Sequence, residues 1–92
     1  MFFEWDNAKK RINLIKHGVD FEDVPSMFEY PMLVLHDGRG DYEEARWVGI
    51  GWIRAFFAVV VYTERSGDVI RIISARKATR EESRNYVENF QN

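Results

Sequence analysis

The chain has 92 residues, 30% of them charged, with a net charge of −2 and no cysteine. That composition fits one globular domain spanning residues 1–92, large enough for a single core and without the signature of disorder. It excludes disulfides, thiolate metal sites and thiol catalysis, and its longest apolar run, "AFFAVVVY" at 55–62, is too short to cross a bilayer.

"MFFEWD" opens with an aromatic patch, and Asp6 stands where an N-cap belongs, before a helix over "NAKKRINLIKH". Ala8, Ile12 and Ile15 recur at i, i+4, i+7 and predict the apolar stripe by which that helix packs, with Lys9, Lys10, Arg11 and Lys16 on the remaining surface. Gly18 predicts a left-handed C-cap, beside which His17 is electrostatically favoured when protonated. "DFEDVPSMFEY" offers Asp20 as a second cap and a stripe of Phe21, Val24 and Phe28. Pro25 limits this segment to a short helix, one that could start near Val24.

"MLVLH" at 32–36 reads as a strand, and "DGRGDYEE" after it as an exposed acidic loop. From Ala45 the pattern is β throughout. "ARWVGIGWI", a tight connection near Arg54, "AFFAVVVYTE", a turn at "RSGD" and "VIRIISAR" predict successive antiparallel strands, the middle one apolar on both faces. Thr79 and Glu82 form a T-x-x-E capping box that opens a last helix through Phe90. The predicted order is β-α-α-β-β-β-β-α, an α+β domain.

Charge is unevenly placed. Residues 1–64 hold seven Lys/Arg against eleven Asp/Glu, and residues 65–92 hold six against four. Four of those cations, Arg71, Arg76, Lys77 and Arg80, lie in "RIISARKATREE", where the last strand passes into the last helix. Strict alternation would place Arg71, Ile73 and Ala75 on one face of that strand and Ile70, Ile72, Ser74 and Arg76 on the other. Arg65 ends the preceding strand and Arg46 begins the one before it. If register brings these arginines to one groove, their guanidiniums could hold a phosphodiester and the extra charge of a pentacoordinate transition state. The bland readings are a cross-strand ion pair for Arg71, a solvated helix face for Arg80 and Arg84, a helix cap for His17, and core packing for Trp5, Trp47 and Trp52. The two histidines are far apart in sequence and no metal-ligand spacing occurs, so neither metal nor other cofactor is predicted.

Two long motifs resemble those of a known family. "FEWDNAKKRINLIKHGVDFEDV" is similar to the F-x-W-D-x-x-K-x-x-x-N-x-x-K-H-G-V-x-F pattern of BrnT toxins, and "RIISARKAT" followed by "EESRNY" resembles their R-I-I-S-A-R-x-A-T segment. "EEARWVGIGW" and "VYTER" match as well. The pattern falls on Trp5, Asp6, Lys9, Asn13, Lys16, His17 and Gly18, then on Arg46, Arg65, Arg71, Ser74 and Arg76. Pro25 departs from it.

The resemblance implies a RelE-like fold, a small antiparallel sheet packed with two N-terminal helices and one C-terminal helix. It also implies a cytoplasmic bacterial ribonuclease toxin of a type II toxin–antitoxin pair that inhibits translation. A BrnA-type antitoxin would neutralise it in a hetero-oligomer, touch operator DNA on behalf of the pair and repress the operon. RNA carries its own nucleophile, the 2′-hydroxyl, so an endoribonuclease of this kind needs a base, an acid and cations for the phosphate. Arg46, Arg65 and Arg76 are the candidates for the phosphate, and His17 or Lys16 for proton transfer, His17 being preferred because imidazole titrates nearest neutrality. Lys9, Lys77 and Arg80 are candidate RNA-binding cations. The competing class is a catalytically inactive module whose cationic groove docks an acidic antitoxin or another partner.

Overall fold

A computed structural model describes residues 1–38, 40 and 44–90. Strand β1 (Phe2–Glu4) leads into helix α1 (Asn7–His17) and a 3-10 helix over Phe21–Glu29. Strands β2 (Leu33–His36), β3 (Trp47–Ile53), β4 (Phe56–Arg65) and β5 (Val69–Lys77) follow, then helix α2 (Arg80–Phe90). This is the predicted α+β order. The sheet runs β1-β5-β4-β3-β2, antiparallel throughout except that β1 joins β5 in parallel, the long connection between them permitting that sense. Part of the expected loop over 37–44, namely 39 and 41–43, lies outside the described residues.

Ala58, Val60 and Tyr62 of β4 share one face with Ile70, Ile72 and Ala75 of β5 and with Ile53. The 3-10 helix covers that face with Phe21, Val24 and Met27, all fully buried. Each such side chain contributes roughly 1.5–3 kcal/mol by leaving water. The second helix is thus 3-10 from Phe21 onward instead of a short α-helix near Val24. Asp20 caps it through the Glu22 N–H, and Pro25, which cannot donate, lies inside. The glycines of "VGIGW" admit Met32, since a Cβ on Gly51 would stand 3.0 Å from Met32 Cγ.

The opposite sheet face is only partly covered. Tyr86 of α2 packs with Ile50 and Val59, and its hydroxyl donates to the Pro31 carbonyl at 2.7 Å. The capping box forms reciprocally: Thr79 N–H donates to Glu82 Oε1 at 2.8 Å, and Glu82 N–H to Thr79 Oγ1 at 3.1 Å. Beyond α2 this face is half-buried at Val48, Val61 and Ser74 and fully buried at Thr63.

Two sequence expectations are corrected. The stripe on α1 does not pack: Ile12 is 61% and Ile15 87% exposed, whereas Asn13 is buried. The cause lies at the sheet edge. β1 pairs β5 only as far as Arg71, so the rest of that edge needs another partner. The Asn13 side chain supplies one, donating to the Ala75 carbonyl at 2.8 Å and accepting from the Ala75 N–H at 3.1 Å, while also donating to the Val19 carbonyl at 2.9 Å. Turning the isoleucines inward would orphan those backbone groups at about 1–3 kcal/mol each.

The second correction is in β5. Val61 opposes Ser74 but Tyr62 opposes Ile72, so Ile73 is an extra residue, a β-bulge. Alternation changes phase there. Ala75 joins Ile70 and Ile72 in the core, and Arg71 shares the open face with Arg76, their partners being Thr63 and Val59 of β4.

Candidate active site

The open half of the sheet forms the floor of a cleft of about 470 Å³. Val48, Val59 and Val61 pave it, and Ser74 and Arg76 line it from β5. His36 and Asp37 come from the end of β2, His17 from the last turn of α1, and Glu82 from the first turn of α2. Four strands and two helices therefore converge on one concavity.

His17 arrives there because of the Asn13–Ala75 clamp. Asn13 fixes α1 along β5 one helical turn before His17, and Gly18 ends the helix with φ 73°, its N–H donating to the Leu14 carbonyl at 2.9 Å. His36 lies edge-to-face on Trp47, with ring centroids 5.3 Å apart. The neighbouring Asp37 is buried, its N–H donating to the Arg46 carbonyl at 2.8 Å. That bond draws the start of β3 against the end of β2.

Arg76 meets Glu82 fork to fork, with two bonds of 2.8 Å, and its Nη1 also reaches the Lys77 carbonyl at 3.2 Å. This pairing, with smaller help from the Thr79 N–H and hydroxyl and against some desolvation, holds the Glu82 carboxyl at a pKa of about 2. Glu82 thus does two jobs at once: it caps α2 and it aims Arg76.

Of the candidate phosphate-binding arginines Arg46, Arg65 and Arg76, Arg76 lines the cleft and the other two stand at different levels of the sheet. Arg65 lies six residues beyond Val59 along β4, roughly 20 Å from the Arg76 level, and faces Glu4 and Glu44 at 3.6 Å each. Glu4 also takes Arg71 at 2.7 Å, the cross-strand ion pair expected of that residue. Arg46 precedes β3 on the open face beside Asp37, four residues from the Arg76 level, roughly 13 Å. Lys77 lies on the other face, its Nζ 5.1 Å from the Phe56 ring centroid. Lys16, Lys9 and Arg80 are exposed outside the cleft lining.

Residues 5–82 match the family model described as the ribonuclease toxin BrnT of type II toxin–antitoxin systems. The chain belongs to the BrnT family. The family is one of ribonuclease toxins that are paired with antitoxins. The solved structure of the Brucella abortus ribonuclease toxin BrnT is similar, with 25% identity and a TM-score of 0.69 over 87% of this chain and all of that one. No curated protein matches the chain.

In this BrnT-family chain, sequence reading did not single out His36, Asp37 and Glu82, which line the cleft beside His17 and Arg76. His36 stands 19 positions from His17, and only the sheet order brings the two histidines to one place. Glu82 did carry a signal, because a capping-box glutamate six residues after a strand-end arginine is within reach of it.

Proposed function

We propose that this chain is an endoribonuclease whose reaction takes place in the cleft between α1, β2 and β5, by attack of the substrate's own 2′-hydroxyl. The observation that carries the reading is that two imidazoles, His17 and His36, and the Arg76 guanidinium line the same concavity. One imidazole takes the 2′-hydroxyl proton as the 2′-oxygen bonds to phosphorus. The other gives a proton to the leaving 5′-oxygen as its bond to phosphorus breaks. The products are a 2′,3′-cyclic phosphate and a 5′-hydroxyl, and every proton is supplied by side chains, without a metal ion. Arg76 stabilises the phosphorane once the substrate phosphate displaces Glu82 from the guanidinium fork.

Asp37 and Arg46 fix the rim on which His36 stands, and Lys9, Lys16 and Arg80 act only as distant cations for the RNA backbone. In the cytoplasm the toxin would inhibit translation until a BrnA-type antitoxin binds it. The hetero-oligomer would reach operator DNA through the antitoxin and repress the operon. One observation favours the inactive docking module: Glu82 already occupies the Arg76 fork, as an acidic antitoxin residue would.

The test is incubation of the purified chain with a defined RNA in EDTA, beside the His17→Ala and His36→Ala variants, scoring fragment ends. Cleavage that leaves cyclic phosphate, slowed by about 10²–10⁴ in each variant, is the expected result. Equal cleavage by all three proteins removes the histidines from the mechanism. No cleavage by any of them supports the docking module.

A further inference from the structure

Helix α1 presents its apolar side to solvent. At 100° per residue, Ala8, Ile12 and Ile15 fall within an arc of about 60°, and all three are exposed. The opposite side is polar and faces the protein: Asn13 clamps β5, Lys10 reaches Asp20 at 3.3 Å and Glu22 at 3.8 Å, and His17 lines the cleft. Arg11 flanks the stripe on one side, with Lys9 and Lys16 on the other. All three cations are exposed, and the helix contains no carboxylate. An isoleucine stripe between cations is a poor surface for water and a good one for an amphipathic acidic helix.

We propose that the α1 stripe is the docking face for the antitoxin, and that the antitoxin lays on it a helix whose apolar residues are bordered by Asp and Glu. This rests on the chain's membership of a toxin–antitoxin family and on the cleft being the site that must be silenced. Charge argues against a second copy of this chain as the occupant, because a two-fold contact would set Arg11 and Lys16 against their own equivalents. RNA is equally ill matched, since the centre of the surface is two isoleucines and offers a phosphate nothing. The position completes the case. Ile15 ends the stripe two residues before His17 but on the other side of the helix, so a partner that lies on the stripe and wraps round the helix end at Gly18 comes to the mouth of the cleft that His17 and Arg76 line.

The experiment is calorimetric titration of the purified chain with its full-length cognate antitoxin, using the parent and an Ile12→Glu/Ile15→Glu variant. RNA cleavage, melting temperature and sedimentation of each toxin are measured alongside. Affinity should fall at least about 100-fold, while cleavage without antitoxin stays within about twofold and the melting temperature is unchanged. If the glutamate pair does not fold, Ile12→Ser/Ile15→Ser gives the same reading with a loss of about tenfold. Unchanged affinity overturns the proposal. So does loss of cleavage with affinity kept, which would assign the stripe to RNA, or a parent dimer dissolved by the substitutions with antitoxin binding intact. Affinity is read whether or not the parent cleaves RNA, so failure of the proposed reaction and failure of the docking face are separate results.

Discussion

At one end of the open sheet face Arg76 is paired with Glu82 in a cleft that two imidazoles and Asp37 also line; at the other, Arg65 and Arg71 share Glu4, and Arg65 also faces Glu44. The residue type is the same and the chemistry is not. The far end is a closed exchange of charge that ties β1 to β4 and β5. At the near end the carboxylate belongs to a helix cap, and histidines able to carry protons stand beside it. An arginine in a sequence is therefore informative only through its surroundings, which here are set by a bulge in β5 and by where β1 stops.

The largest effect that would sharpen this contrast is on RNA cleavage. Arg76→Ala is expected to slow it by about 10²–10³, the scale of losing one donor to a developing oxyanion, and Arg65→Ala by less than about tenfold. Comparable losses in the two variants, measured as initial rates on one RNA, would erase the distinction between the ends. Asn13→Ala comes next. It leaves the Ala75 N–H and carbonyl without their side-chain partner, so chemical denaturation should show a loss of about 2–4 kcal/mol. Unchanged stability would mean that α1 is not clamped to the cleft end through this residue.

The smallest effect concerns Glu82, whose pKa of about 2 lies below its ordinary value of 4.5. A depressed carboxyl stabilises the fold fully above pH 4.5, and that contribution is lost as pH falls toward about 2. Glu82→Gln should therefore melt lower than the parent at neutral pH by the equivalent of about 1–3 kcal/mol, with the gap closing over that acid range. Parallel melting curves from pH 7 to pH 2 would show that the fork contributes nothing beyond a neutral contact.

Much of the fold was legible in the residues because the signals were local. Asp6, Gly18, Asp20 and the Thr79/Glu82 box mark ends that the structure places within a residue of expectation, and the turns at Arg54 and Gly67 fall where polar breaks occur between apolar runs. The errors share one physical origin. Whether Ile12 and Ile15 face in or out, and whether Arg71 and Arg76 share a face, depends on what the edge and register of β5 require, and those are properties of residues some sixty positions away or across the sheet. The cleft had the same problem. His17, His36 and Arg76 meet only through the strand order, whereas the cationic run at 71–80 was conspicuous in sequence and is divided by the structure between two sheet ends and two faces.

The bond from Asn13 to Ala75 joins positions 62 apart, and β1 likewise waits for Val69 to Arg71 before it can pair. The first elements to leave the ribosome are thus the last to find their partners, a high-contact-order arrangement in which slow, nonlocal closure limits folding. A truncated or still-growing chain lacks the edge that positions His17. The cleft that His17, Arg76 and Glu82 line can therefore form only once the chain has been made at least as far as α2.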